Sequence, residues 1–409
     1  MKVLQINTVC GSGSVGRITV DLSNTLKDAE HSCRIIYGRR TAPEGVDAVR
    51  VGSNMAMGMH VLNTFFKGEH GFSSDKETQE IIDKIREYEP DLIQLHNIHG
   101  FYLNVEMLFA YLKEAGIPVV WTLHDCWSFT GHCAYFDYAK CDKWKEGCGK
   151  CPQFRSTYPY ALFKDNSKNN FTRKEQAFTN VPNLTIVTPS NWLKEKVKES
   201  YLKEYPVEVI RNGIDREVFK PTESRLVRKY SLQDKKILLG VASVWEKRKG
   251  LSYFVELASR LPEEYKIVLI GINERQKKKL PESILAIERT NNARELAEWY
   301  TAADLFINPT MEDNFPTTNL EALACGTPVL TFATGGSPET IDGSCGKVVP
   351  KGDVDALVEA VKEMTAYPLL SESCVLKSMQ YDKKERFREY RKLYERILAE
   401  LPEAGDKNE

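Results

Sequence analysis

Apolar positions along this chain fall in short unbroken runs separated by stretches of helical spacing. Runs rich in Val, Ile and Leu occupy residues 2–7, 33–37, 91–95, 119–123, 185–189, 207–210, 237–241, 266–271, 305–307 and 329–332. Strands that are apolar throughout, rather than at every second position, are those buried on both faces. Between them the apolar residues return at helical spacing, predicting helices over about 18–28, 78–88, 251–260, 294–304 and 382–400 and one opening after Ser190, a natural N-cap. The last carries Phe387, Tyr390, Tyr394 and Ile397 on one side. Strands alternating with helices define an α/β chain with parallel sheets. At 409 residues the chain exceeds one ordinary core and divides into two domains, the second beginning near residue 207. Residues 54–72 mix Met, Phe, His and Gly without a clean period. Met55, Met57, Met59, Phe65 and Phe66 there suit either an ordinary core helix or an adaptable apolar surface for a lipid.

In a parallel sheet, ligands gather at the carboxyl ends of the strands, so the residues just after each run carry the chemistry. Cys10-Gly11-Ser12-Gly13-Ser14-Val15-Gly16 follows the first run, and its glycines allow close backbone approach to a phosphate or sugar. This glycine spacing alone is a weak dinucleotide fingerprint, because no acid fills the ribose position beyond it. His96 and His99 follow one run, and His124-Asp125 the next. Lys247-Arg248-Lys249-Gly250 places three cations at a strand–helix junction, which suits a diphosphate. Asn212-Gly213-Ile214-Asp215 reads as a turn. The densest stretch is 308–329. A strand ends, two acids (Glu312 and Asp313) stand in a loop, and Pro316 opens a helix that carries Glu321. Gly326 and Pro328 close that helix before the next strand.

Composition narrows the picture further. Hydrophobic residues make up 42% and charged residues 28%, an ordinary globular balance, and the net charge of −1 gives no general attraction to nucleic acid. The opening residues read as a strand, not a secretory signal, and no apolar run reaches membrane-spanning length. Five of the ten cysteines lie between 126 and 151. Cys133, Cys141, Cys148 and Cys151 end in a C-x-x-C pair and form a candidate structural zinc set, with Cys126 and His132 as rival ligands. Free buried thiols and disulfides are the alternatives.

Residues 308–340 resemble the signature of the retaining glycosyltransferases of family 4, of the GT-B type. That signature has an acid, seven residues, a glutamate, a helix of small residues and Gly-x-Pro-Val. The pair here is Asp313 and Glu321. Asp313 is one methylene shorter than the family's usual glutamate, and Glu312 beside it is a rival. Residues 243–251 resemble the family's donor-phosphate motif, with Lys249 on its lysine; the family's arginine falls on Ser243, which leaves Arg248 as the replacement. Residues 211–215 and the Thr334-Gly335-Gly336-Ser337-Pro338-Glu339 loop are similar to two further family turns, and His124 matches a histidine placed beside the donor sugar.

The resemblance covers nearly the whole chain. It implies a GT-B fold of two facing Rossmann-like domains with a deep interdomain cleft. These are an acceptor domain (1–206) carrying the Cys-rich insert (126–151), a donor domain (207–381), and a final helix and tail (382–409) returning to the first domain. The implied catalytic residues are His124, Asp313 and Glu321. Donor contacts fall on Gly13, Arg248, Lys249, Asn314, Phe315, Pro316, Thr317 and Glu321, and acceptor contacts on Gly16, His96 and His99. The implied reaction is hexosyl or N-acetylhexosaminyl transfer, with retention, from a nucleotide-sugar to a glycan or lipid-linked glycan in bacterial surface-polysaccharide synthesis. It implies no cofactor for catalysis, and a cytoplasmic site with peripheral contact at the inner membrane. The alternatives are a GT-B nucleotide-sugar epimerase, a non-catalytic sugar-nucleotide binder, and an interaction protein built on the cysteine module.

Overall fold

A computed structural model describes residues 1–401; the polar tail expected at 402–409 lies outside the described residues. The chain forms two compact units, Met1–Ile210 joined by the chain from Lys384 onward, and Arg211–Lys383.

The first unit runs β1 (Lys2–Val9), α1 (Gly13–Asp28), β2 (Ser32–Arg39), β3 (Ala48–Arg50), α2 (Asn54–Lys67), α3 (Asp75–Tyr88), β4 (Leu92–Leu95), α4 (Val105–Ala115), β5 (Val119–Thr122), α5 (Ser167–Phe178), β6 (Leu184–Thr188), α6 (Asn191–Lys198) and β7 (Val207–Val209). Its seven strands are parallel, in the order β3-β2-β1-β4-β5-β6-β7. β4 and β5 are buried at every position, as their unbroken apolar runs require. Ser190 caps α6 as expected, accepting from the Leu193 amide at 3.1 Å. The expected boundary at 207 is corrected to 211: residues 207–209 pair with β6 and complete the first sheet.

The second unit contains α7 (Leu226–Lys229), β8 (Lys236–Val241), α8 (Leu251–Arg260), β9 (Tyr265–Ile270), α9 (Glu274–Lys277), β10 (Ile284–Ile287), α10 (Ala293–Ala302), β11 (Leu305–Asn308), α11 (Thr317–Ala324), β12 (Val329–Phe332), β13 (Gly346–Val349), α12 (Val354–Ala366) and α13 (Ser371–Ser378). Its six parallel strands lie in the order β10-β9-β8-β11-β12-β13. In both sheets the first strand sits inside and the chain winds outward, first to one side and then to the other. This is the doubly wound arrangement of a Rossmann-like domain, whose switch point lies between β1 and β4 in one unit and between β8 and β11 in the other. Ile214 pairs with Asp382, and Lys383 meets Asp215 at 2.8 Å, so the two ends of the second unit are held side by side.

The final helix, α14 (Lys383–Ala399), packs on the first unit. Phe387, Tyr390, Leu393 and Tyr394 enter a core with Val3, Ile18, Leu22 and Leu92. The two tyrosines also satisfy buried polar groups of the sheet. Tyr394 donates to Gln94 Oε1 at 2.7 Å, Gln94 donates to Thr122 at 3.0 Å, and Thr122 shares a bond with Tyr390 at 3.2 Å.

Removing the donor from this network leaves a buried amide oxygen without its bond, which costs about 1–3 kcal/mol. Tyr394→Phe is therefore expected to lower unfolding stability by that amount in urea titration. An unchanged midpoint would show that Gln94 finds another donor at no cost.

Candidate active site

The second unit's switch point carries the charged residues. β8 ends in a loop anchored by Trp245, which is buried against Phe254 and donates to the Ile270 carbonyl at 2.9 Å. The loop then turns through Lys247–Lys249 to Gly250, whose φ is +79°. A Cβ there would come within 2.1 Å of the Pro309 carbonyl, so only glycine lets this turn close onto the end of β11. The turn is stitched to the next loop: the Met311 amide donates to the Arg248 carbonyl at 2.7 Å, and Arg248 Nη1 donates to the Glu312 carbonyl at 3.3 Å. The result is an ion pair between Lys249 Nζ and Asp313 Oδ2 at 2.6 Å, both partly buried. Glu312 is itself buried, at 4% exposure. Of the two adjacent acids, Asp313 is the one that meets the lysine.

α11 follows, opening after Pro316, whose own side chain makes no cap hydrogen bond. Glu321 on this helix is buried and accepts from the Tyr300 hydroxyl at 3.1 Å. Burial and the neighbouring Glu321 charge hold the Tyr300 hydroxyl well above its usual pKa, so it remains a donor. Asn319 completes a buried chain, accepting from Asn308 at 2.8 Å and donating to Thr340 at 2.9 Å. That chain ties β11 and α11 to the Gly335-Gly336 loop. Gly335, at φ +54°, lies so close to Asp313 that a Cβ would reach its carbonyl oxygen at 1.7 Å. Thr334 and Ser337 in this loop have buried hydroxyls with no hydrogen-bond partner among the described residues. Arg211 pairs with Glu339 at 2.8 Å and lies over Phe315.

Three of the expected donor residues in the loop before α11 are buried. The Phe315 side chain is buried among Ile214, Leu320, Ala324 and Tyr381, and its carbonyl accepts from Asn212 at 3.3 Å. Its part is to hold the loop. Asn314 and Pro316 are buried as well, whereas Thr317 is partly exposed. Tyr300, Arg211, Asn308 and Asn319 join this group without having been singled out in the sequence; each lies in an element that reads as ordinary helix, turn or strand.

The first unit gathers Gly13, Gly16, His96, His99 and His124. Gly13 has φ +68° and open space where a Cβ would stand. Gly16 is buried, and a Cβ would come within 3.1 Å of Val9, while its carbonyl accepts the Gly11 amide at 2.8 Å. Gly16 thus closes the turn and packs α1 on β1. His96 and His124 stack, with ring centroids 5.5 Å apart and a 3.2 Å bond from Nδ1 to Nε2; the far nitrogen of His96 meets Gln5 at 3.1 Å. His99 bonds Asp125 at 2.9 Å and the Tyr158 hydroxyl at 3.0 Å, and Tyr158 reaches His70 at 3.3 Å. Burial would raise the Asp125 carboxyl, but His99 and the Trp127 amide hold it below the usual range. Burial lowers His124 to about 4, and it holds His96 well below the usual imidazole range. These imidazoles are neutral near pH 7 and act through hydrogen bonds.

Two family descriptions match the chain: "Glycosyltransferase Family 4" over residues 15–218 and "Glycosyl transferases group 1" over residues 235–366. A protein of Escherichia coli K12 named for glycosyl transfer in colanic acid biosynthesis, WcaC, is 24% identical over 97% of this chain and its own full length. N,N'-diacetylbacillosaminyl-diphospho-undecaprenol alpha-1,3-N-acetylgalactosaminyltransferase of Campylobacter jejuni is 26% identical over 49% of this chain and 57% of its own. HepE of Anabaena in complex with UDP shares the fold with a TM-score of 0.69 at 13% identity, over 97% of this chain and all of that one. The chain belongs to glycosyltransferase family 4 and is a GT-B-type glycosyltransferase. The transferase relatives favour transfer over epimerisation or simple binding.

The histidine group has a consequence for stability. His60 and His124 have folded pKa values of about 4, below the ordinary 6.5. Between these values the unfolded chain binds protons that the folded chain refuses. Stability that is complete above pH 6.5 is therefore lost as pH falls to 4, by on the order of 3 kcal/mol for each histidine. Urea titrations across this window should show the loss, and a flat profile would show that these imidazoles are protonated when folded.

Proposed function

We propose that this glycosyltransferase moves a hexosyl or N-acetylhexosaminyl group, with retention, from a nucleoside-diphosphate sugar to a lipid-linked glycan. The observation that carries the donor reading is the Lys249–Asp313 pair at the second sheet's switch point, with Glu321 on the next helix. When the donor binds, Lys249 exchanges the aspartate for the diphosphate and stabilises the charge that develops as the sugar leaves. Asp313 is then released to hold sugar hydroxyls, and Glu321, steadied by Tyr300, accepts from the ribose. The start of α11 supplies backbone amides for phosphate or sugar oxygens. His124, neutral, serves as a hydrogen-bonding group for the sugar. HepE's complex with UDP makes uridine conjugates the first donors to try.

In thermal-shift measurements with UDP, GDP, ADP, CDP and their sugar conjugates, one nucleotide should raise the midpoint selectively, since a ligand that binds only the folded state stabilises it. Lys249→Ala should abolish most of that shift and slow transfer by roughly 10²–10³-fold while leaving the unliganded midpoint near wild type. Transfer at the wild-type rate would remove the phosphate role from Lys249.

The lipid-linked acceptor is supported by α2. Its Met55, Met59, Leu62 and Phe66 lie along one stripe and are 80%, 59%, 51% and 52% exposed, while His60 and Thr64 face inward. Phe163 stacks on Phe66 at 5.1 Å and extends the apolar face, which the exposed Lys67 and Lys164 border. An ordinary core helix would bury this stripe. Apolar side chains rimmed by lysines suit the headgroup region of an anionic bilayer. Among the described residues no helix is long and apolar enough to cross a membrane, so the contact proposed is peripheral. Vesicles containing phosphatidylglycerol should sediment the protein, and Met59→Glu/Phe66→Glu should release it without lowering its unfolding midpoint. Equal sedimentation of the variant would place the membrane contact elsewhere.

A further inference from the structure

The segment between β5 and α5 has two short 3-10 turns and otherwise no regular secondary structure, yet it is packed around its own aromatic group of Phe129, Phe136 and Trp144. Beside that group lies a cavity of about 20 Å³, lined by Cys133, Cys141, Cys148 and Cys151 together with Thr130, His132 and Trp144. This is room for one body the size of a water molecule. All four thiols are free. As they stand, no three His, Cys, Asp or Glu side chains among the described residues are placed to hold a metal ion. The four thiols nonetheless line one small space.

We infer that Cys133, Cys141, Cys148 and Cys151 bind one zinc ion as a structural tetrathiolate site.

Three features around the cavity fit that ligand. The sulfurs already receive N–H donors. The Gly131 amide lies 3.2 Å from Cys148 Sγ, the Gln153 amide bonds Cys151, and the Gln153 side chain bonds Cys133. Donors aimed at sulfur are the outer shell that orients a metal-bound thiolate. Gly131 is also obligatory, since a Cβ would come within 2.0 Å of the Ser167 carbonyl and 2.7 Å of Cys148 Cβ.

The turn between Cys148 and Cys151 is held in place. Lys143 Nζ donates to the carbonyls of Gly149 and Lys150, each at 2.9 Å, and Lys150 adopts φ +45°, uncommon for a residue with a side chain. This keeps the two thiols of the C-x-x-C pair on one side of the loop.

The third feature is charge. Lys174 is 1% exposed and makes no ion pair among the described residues. Its ammonium is held by the carbonyls of Trp127 and Thr130, at 2.8 and 3.0 Å, and lies over the Trp127 ring, near Cys148 and Cys133. Burial disfavours its charged form, and Cys148, Cys133 and Asp125 are the groups whose negative charge favours it. A divalent ion with four thiolates carries a net double negative charge and adds to that field. His132 borders the same cavity, and its Nε2 is buried without a partner, so it is the replacement ligand if one thiol does not close in. Cys126, the other rival, does not line the cavity.

On binding, each thiol loses its proton to solvent and forms one sulfur–zinc bond of about 2.3 Å. The ion closes a loop that lacks regular hydrogen bonding, so its part is to hold the segment that delivers Tyr158 to His99.

The full chain, purified without chelator from zinc-supplemented medium, should carry about one zinc by mass spectrometry. Titration with an organomercurial should release that zinc as four thiols are consumed, and cobalt exchange should give thiolate-to-cobalt charge-transfer bands. Cys148→Ser/Cys151→Ser should lose the metal, and Cys10→Ser should keep it. The wild-type titration and cobalt spectrum stand even if the double variant does not fold. Metal that dialysis removes, a mapped Cys148–Cys151 disulfide, or full zinc content in the double variant would each overturn the site.

Discussion

A parallel strand cannot be joined to its neighbour by a tight turn. The chain must cross over, and every crossover here uses a helix or a long loop on a face of the sheet. When the chain starts in the middle of a sheet and winds first to one side and then to the other, two adjacent strands send their following segments in opposite directions. A crevice opens where they part. In the second unit this happens between β8 and β11, and Lys249 and Asp313 stand there. In the first it happens between β1 and β4, where Thr8 on β1 donates to the carbonyls of Asn97 and His99. Topology therefore positions the reactive groups before any single side chain does.

Holding polar groups at a buried strand end has a cost that the surroundings must offset. Each unit meets it with a closed chain of hydrogen bonds rather than with isolated pairs. Asn308, Asn319 and Thr340 connect strand, helix and loop in the second unit. Gln5, His96 and His124 do so in the first, where burial keeps the imidazoles neutral and removes the penalty of a buried charge. Lys249 and Asp313 form an ion pair near solvent, where a ligand can exchange with either.

What the sequence made legible follows from distance along the chain. The acid, the seven-residue spacing, Glu321 and Gly326 all belong to one strand–loop–helix unit, so local pattern was enough. The buried strands read directly because their apolar runs are unbroken. Tyr300, Arg211 and Gln5 were invisible because their partners are remote: Tyr300 meets Glu321 twenty-one residues on, and Arg211 meets Glu339. Phe315 shows the converse. It lies within the signature but spends its side chain on the core beneath the loop. The boundary at 211 was missed because β7 is three residues long and looks like the start of the next apolar run.

The departure at Ser243 has a structural answer. Ser243 is exposed and carries no cation, which leaves Arg248 and Lys249 to provide positive charge at the loop. Arg248 braces that loop: its guanidinium meets Glu246 at 3.0 Å and the Glu312 carbonyl at 3.3 Å. Taking Arg248 away to a phosphate would loosen the turn that presents Lys249. The Lys249 ammonium has one partner among the described residues, Asp313, and a flexible stem, so it can change partners at small cost. The shorter first acid fits the same arrangement. With Gly335 pressed against its carbonyl, Asp313 cannot retreat, and its carboxylate stands within reach of the lysine without the extra methylene. The two departures from the family pattern thus meet at one place, a single lysine and a short acid held at 2.6 Å by the backbone around them.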